Sequence, residues 1–459
     1  MVAGGWRSVT GDIIPVVTRA FRVALTAAIA CTAWGAAPDG LWRSDGYGSL
    51  IEIAGPDLRG YEITSISCLP SLHARRQSES AGEIVFAADD GLFRFRPGAS
   101  PRAARLHVDG AVSDIVLHRL DMKPKVCDRA PEDTPPSNYA IFWQTFAENY
   151  AFFDLRHVDW QAVDRKFRPQ VTAATKPAEL FAILQQMIEP LADAHTSINA
   201  PQLKTYHGFR QDPNHFTPDD WAQADRLMAS HCLRGEMQSY CKGHVQFGML
   251  DGEIGYLRVN SFHSYASGGY AAQLHALETA LDAGFRDTQK WRGLVIDVRR
   301  NSGGDDPLGI EIASRLTSAK YLAYSKVTRD NIDGPLHFTE PQETWVTPAS
   351  RPGYRGPVVL LTGPDTISAG ETFTMALMGR RPQVTRIGQN TQGVFSDVLA
   401  RSLPNGWRFG LPNEVYLTRD GKAFDGPGVP PDVRLLSGKP GEAAGKDAVL
   451  DKALEMLKR

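Results

Sequence analysis

Two stretches constrain this chain more than anything else in its sequence: "RGLVIDV" at 292–298 and "GPVVLLTG" at 356–363. Each is a short, nearly continuous apolar run bounded by glycine or proline. A strand with one wet face would alternate; these do not, so they read as strands buried on both sides, the habit of parallel sheets covered by helices. The surrounding pattern agrees. "IGYLRVNSF" at 254–262 and "QVTRIG" at 383–388 read as further strands, and "YAAQLHALETALDAG" at 270–284 is a helix with Leu274, Leu277 and Leu281 on one face. "ETFTMALMG" at 371–379 reads as a helix growing from the end of the second buried run. Residues 251–440 therefore specify an α/β core, followed over 441–459 by a short amphipathic helix, "DAVLDKALEMLKR".

The segments before this core have other periods. Residues 38–122 hold short alternating runs ("SLIEIAG", "EIVFAAD", "LFRFRPG", "DIVLHRL") cut by Gly, Pro and Asp turns, which predicts a small all-β module. Pro124, Pro131, Pro135 and Pro136 suit a linker. Residues 138–200 read as a helical subdomain: Phe142, Phe146 and Tyr150 share one face, and Leu180, Leu184, Met187, Ile188 and Leu191 another. That subdomain ends in "LADAHTSI", which carries His195. Residues 201–250 are polar and read as an irregular, disulfide-containing insert.

The chain's 459 residues suggest two or three domains, and a net charge of -2 with no basic stripe gives no footprint for nucleic acid. Arg7, Arg19 and Arg22 precede "VALTAAIACTAWGAA", so residues 1–37 read as a signal peptide and the mature chain as exported, periplasmic or secreted, with no integral membrane segment. "AIAC" at 28–31 loosely resembles a lipoprotein box ending at Cys31, although Ala28 stands where a larger aliphatic residue is usual. Without Cys31 four cysteines remain, an even number that suits disulfides in an oxidising compartment. Cys232 with Cys241 would close a short loop, Cys68 with Cys127 would tie the ends of the β module, and the connectivity stays open. No Cys or His spacing suggests zinc.

Four short motifs sit at element ends. "DVRRNSGG" at 297–304 follows the first buried strand, and its paired glycines can turn amides toward an anion. "TISAGE" at 366–371 follows the second and places Ser368 at a helix N-terminus, where a serine can be a cap or a nucleophile. "DAHT" supplies His195, and "FDGPGVPPDV" at 424–433 supplies Asp425 beside a Gly/Pro turn. Alone, each has an ordinary structural use.

Along the chain the order is the "YAFFD…DW" helical lead-in, "LADAHT", "GYLRVNSF", "DVRRNSGG", "TISAGE" and "GVPPDV", and in that order they resemble the S41 family of serine peptidases over roughly residues 138–440. That family includes C-terminal processing proteases, the tricorn core protease and the repeats of the interphotoreceptor retinoid-binding protein. The resemblance implies a ClpP/crotonase-like core of ββα units. Processing proteases pair the serine with a lysine about 25 residues later; here Gly393 and Val394 occupy that place, and His195 points instead to the tricorn-like branch. Where that branch has a glutamate, this chain has Asp425, with Asp193 and Glu371 as rival orienting groups.

The implied roles are Ser368 as nucleophile, His195 as base and Asp425 as its orienting acid. The amides of Ala369 and of Gly303 or Gly304 would form the oxyanion hole, and no cofactor is needed. A peptide or protein substrate is expected, cleaved by an exported endopeptidase. The alternatives are a non-catalytic protein binding an apolar ligand on the same fold, and an ester or amide hydrolase using the same site. Residues 201–250 are too few for a PDZ domain, and a homo-oligomer is left open.

Overall fold

In the computed structural model, residues 38–80, 82–89, 91–210, 215–251, 253–330, 337–436 and 447–458 are described. The signal-peptide reading of 1–37, with the box at Cys31, lies outside them.

Alternation closes the N-terminal strands on themselves. The strands are β1 (Gly40–Ser44), β2 (Ser49–Ala54), β3 (Asp57–Ile63), β4 (Cys68–Ser80), β5 (Glu83–Ala88), β6 (Gly91–Pro97), β7 (Ala103–Val108) and β8 (Asp114–Leu120). They form a closed barrel in sequence order, with β1 paired back onto β8. Every second residue fills its interior, as Ile51 and Ile53, Ile84 and Phe86, and Phe93 and Phe95 do. Closure leaves no exposed strand edge. A disulfide joins Cys68 to Cys127.

The proline-rich stretch opens a helix. Thr134 caps α1 (Pro135–Asn149), and Pro135 and Pro136 lie in its first turn, where their missing N–H costs nothing. α1, α2 (Trp160–Phe167) and α3 (Pro177–Ile188) pack around Phe142, Phe146, Tyr150, Leu184 and Met187. This cluster is completed by residues distant in sequence: Phe142 and Phe409 have ring centroids 4.9 Å apart. The strands involved are β9 (Ser197–Ala200) and β10 (Lys204–His207), which form one sheet with β20 (Arg408–Pro412) and β19 (Val398–Ser402) in the order β10-β9-β20-β19.

The insert is more regular than its polarity suggests. It holds α4 (Pro218–His231), opened by Thr217 and Asp220 in a reciprocal cap. It also supplies β11 (Gln238–Tyr240) and β12 (Val245–Leu250), which extend the main sheet. The expected disulfide there is corrected: Cys232 and Cys241 are free. Cys232, at the end of α4, packs with Leu250 and Leu454, whereas Cys241 is buried with Phe247 and Tyr265. These clusters lie on opposite faces of the sheet, so short sequence spacing does not bring the thiols together.

The main sheet runs β11-β12-β13-β14-β17-β18-β22, with β13 (Ile254–Val259), β14 (Gly293–Asp297), β17 (Val358–Thr362), β18 (Thr385–Gly388) and β22 (Val433–Arg434) all parallel. All five residues of β14 and of β17 are buried. Leu294, Ile296, Val358 and Leu360 face α5 (Tyr270–Gly284), α6 (Asp306–Ser314) and α7 (Ala369–Met378). Val295, Val359 and Leu361 face α8 (Ala448–Lys458). A third sheet, β16 (Gln342–Val346), β15 (Tyr321–Thr328) and β21 (Glu414–Leu417), packs against α7. The fold is thus the layered α/β core with a small all-β module expected from the sequence.

Cys68 and Cys127 lie 59 residues apart, so the loop-entropy account gives their bond roughly 4 kcal/mol. Replacing both by alanine is expected to lower the midpoint of denaturant unfolding accordingly. Thiol titration of unreduced, denatured protein starting at Pro38 should count two thiols; four would contradict the pairing.

Candidate active site

Parallel sheets leave their strand ends open at one edge, and three motifs meet there. The chain leaves β14 into Asn301–Gly304 and leaves β17 into the turn before α7. These loops are clamped together: Ile367 donates its amide to the Asn301 carbonyl at 3.0 Å, and a Cβ placed on Gly303 would lie 2.7 Å from Ser368 Cβ. Gly303 takes φ 85, so both its missing side chain and its left-handed backbone are needed.

Ser368 heads α7 with φ 55 and ψ -121, a conformation foreign to an ordinary serine, and its side chain is half-buried. Holding it costs about 1–3 kcal/mol, which the surroundings must supply. Glu371 is the main source. Its fully buried carboxylate accepts from Thr391 Oγ1 at 2.5 Å, from the amides of Gly393 and Val394 at 2.6 and 2.8 Å, and from the Ser368 amide at 3.3 Å. Ser368 donates the same amide to the Val394 carbonyl at 3.1 Å. Burial pushes Glu371 up to about 7, against four hydrogen bonds that favour its charged form. "SAGE" has the S-x-x-E spacing of a capping box, the sequence signal that could have identified this role.

The amides near Ser368 differ in availability. That of Gly303 donates to Asn301 Oδ1 at 2.9 Å. Among the described residues, the amides of Gly304 and Ala369 have no partner. The second belongs to the first turn of α7, where the helix dipole favours negative charge.

His195 arrives from the helical subdomain. Ala192 turns left-handed after α3, and Asp193 then organises "DAHT" as an Asx turn, with Oδ1 accepting the His195 amide at 3.0 Å. Asp193 is buried and held by the Tyr150 hydroxyl at 3.0 Å and by Arg156 at 3.4 Å. The imidazole rests against the backbone of Ser396. Burial lowers its pKa below 6.5, and Asp193, Ser396 and Glu414 oppose that shift. Asp425, also buried, rests against the backbone of Phe395. Burial, then the negative charges of Glu371 and Asp193, hold its carboxyl well above the usual range.

The short segment Val394–Phe395–Ser396 is therefore where the three predicted residues converge, each bearing on a successive backbone unit. Among the described residues no hydrogen bond joins Ser368 to His195 or His195 to Asp425. Instead, His195 Nδ1 and Asp425 Oδ2 are both buried without partners. A ring nitrogen that can carry a proton and a carboxyl oxygen that can accept its hydrogen bond, left open in this way, are complementary, and apo sites often hold such groups apart until substrate arrives.

Sequence reasoning missed the polar cluster beneath this segment. Buried Lys326 donates to buried Glu414 at 2.8 Å, and Glu414 accepts the Asp397 amide at 2.9 Å. Glu414, then Tyr47 and Asp397, raise Lys326 well above its ordinary value against burial. Its ammonium is committed to the ion pair with Glu414. Its partners lie 71 to 88 positions away in sequence, beyond the reach of local patterns.

Residues 253–435 match peptidase family S41, and residues 131–189 match the tricorn protease C1 domain. A carboxy-terminal-processing protease of Bartonella bacilliformis is 23% identical over 205 residues, which are 44% of this chain and 43% of that protein, so the match spans less than half the relative's length. A candidate peptidase from Parabacteroides merdae superposes with a TM-score of 0.61 at 26% identity, covering 72% of this chain and 98% of that one. Mature CPAF shares the fold at a TM-score of 0.50 and 10% identity, covering 71% of this chain and 96% of its own.

Replacing Glu371 by alanine would orphan the amides of Gly393 and Val394 and release Ser368. The expected loss of unfolding free energy is about 3 kcal/mol or more. Denaturant unfolding of the Glu371→Ala variant checks it, and a loss below about 1 kcal/mol would contradict the role given to the carboxylate. Its ordered motifs, its fold and the match over residues 253–435 make the chain similar to peptidase family S41, and residues 131–189, ahead of that stretch, are similar to the tricorn protease C1 domain.

Proposed function

We propose that this chain is an exported serine endopeptidase in which Ser368 is the nucleophile and His195 the general base. The observation that carries this reading is the strained Ser368 at the head of α7, beside two amides without partners. A serine that served only as a cap would not need φ 55.

The chemistry follows from the arrangement. Ser368 Oγ attacks the carbonyl carbon of a peptide bond while His195 takes its proton. The carbonyl oxygen becomes an oxyanion and settles between the amides of Gly304 and Ala369, the pair left open once Gly303 is engaged by Asn301. The C–N bond then breaks as His195 returns the proton to the leaving amine, giving an acyl-enzyme. Water, deprotonated by His195, releases the acyl group. Asp425 closes on His195 Nδ1 and fixes the tautomer that leaves the other ring nitrogen free for the serine. Asp193 anchors the backbone that presents the ring. The substrate is a peptide or protein; nucleic acid has no part. Export is supported by the apolar leader and by the Cys68–Cys127 bond, which suits an oxidising compartment. Among the described residues no helix is long and apolar enough to cross a membrane.

Peptide-library digestion with Ser368→Ala and His195→Ala should show each reducing kcat by roughly 10⁴-fold or more, with unchanged circular dichroism. Full turnover by Ser368→Ala would sink the assignment. Asp425→Asn should lower kcat while leaving KM near the wild-type value, whereas Asp193→Asn should lower stability as well, because it weakens the buried pair with Arg156.

The pH dependence has a defined sign. His195 must be neutral to accept a proton, and burial lowers its pKa, so kcat/KM should rise with pH through a midpoint below 6.5 and then level off. A profile that kept climbing into the alkaline range would point to a lysine base and contradict this reading.

A further inference from the structure

The polar network under His195 does not end within the catalytic core. Glu414 Oε1, which takes the Lys326 ammonium, also accepts the hydroxyl of Tyr47 at 2.7 Å. Tyr47 belongs to the N-terminal barrel and lies 367 positions from Glu414 in sequence. On the far side, the amides of Asn413 and Glu414 both donate to Ser396 Oγ at 3.1 Å, and Glu414 Oε2 holds the Asp397 amide. Glu414 thus fixes residues 396–397 from both sides, and these include the backbone on which the His195 ring rests.

The barrel turn is shaped to deliver this one side chain. Gly46, Tyr47 and Gly48 take φ 64, 58 and 51 in succession, three left-handed residues in a row. Only glycine adopts that conformation freely, so the tyrosine is held there at a cost. The turn is also docked on the core. Gly46 donates to Asp330 Oδ1 at 3.2 Å, a Cβ on Gly46 would lie 2.7 Å from Thr328 Cγ2, and the Arg401 guanidinium donates to the Tyr47 carbonyl. A turn that merely joined β1 to β2 would need neither the strain nor this seat.

We propose that Tyr47 is a positioning residue for catalysis. The barrel inserts it beneath the active site, where its hydroxyl fixes Glu414 and, through Glu414, the 396–397 backbone that seats His195. This rests on the reading of His195 as the base. It makes the N-terminal barrel a part of the active site, acting through one hydroxyl rather than by gathering substrate.

The test uses the full chain and three variants: Tyr47→Phe, Glu414→Gln and the double replacement. Tyr47→Phe keeps the ring, so melting should change little, while kcat for peptide hydrolysis falls roughly tenfold at unchanged KM. Because the hydroxyl acts through Glu414, the double variant should lose no more kcat than Glu414→Gln alone. A Tyr47→Phe enzyme with wild-type kcat, or losses that simply multiply in the double variant, would overturn the proposal. Wild-type protein tested in parallel separates the two ideas. If it shows no turnover and takes no fluorophosphonate on Ser368, the active-site reading has failed and this proposal falls with it.

Discussion

The Glu371 carboxylate, sealed from solvent at the start of α7, is the fixed point on which the rest of the site depends. It takes the amides of Gly393 and Val394, the Thr391 hydroxyl and the Ser368 amide together. Those bonds hold a backbone turn that serine would not choose, and they also fix the segment that meets His195 and Asp425. The place that a processing protease gives to its lysine is filled here by two amides bound to a carboxylate. The site is therefore organised around a buried carboxyl group, and in the proposed mechanism the base comes from elsewhere, as His195.

Two other buried charges extend this arrangement outward. Asp193, paired with Arg156 and Tyr150, ties the "DAHT" turn to the helical subdomain. Glu414, paired with Lys326 and Tyr47, ties the 396–397 backbone to the third sheet and to the barrel. Buried ion pairs add little net stability, but they tolerate no change of register, because losing one partner leaves a costly unpaired charge. Three sequence-distant regions are in this way keyed to one short segment. The strain at Ser368 is held through Glu371, and that at Tyr47 through Glu414, Arg401 and the seat of Gly46 on Asp330.

Much of this was legible in the sequence. Unbroken apolar runs marked β14 and β17, because a strand with both faces covered has no position for a polar residue. The helical faces of α1, α3 and α5 followed from spacing, and the ordered motifs placed Ser368, His195 and Asp425 at element ends. What was hidden depended on partners far away. Cys232 and Cys241 looked like a pair because they are close in the chain, but the sheet between them separates their side chains. The 201–250 insert looked irregular because its elements are short and polar, and α4 borrows its apolar partners from the core, where Met228 packs with Leu250 and Leu454. Glu371 was visible only as a rival orienting acid, although the S-x-x-E spacing already pointed to its capping geometry. Nothing local distinguishes Tyr47, whose partner lies 367 positions on.

The most direct test of the central claim is labelling with a fluorophosphonate, followed by peptide mapping, on wild type and on His195→Ala. The account predicts a single adduct on Ser368 in the wild type and its loss in the variant, since the serine is nucleophilic only with its base in place. Well-folded wild-type protein that cleaves peptides yet carries its label on another residue, or labels at Ser368 equally without His195, would contradict it.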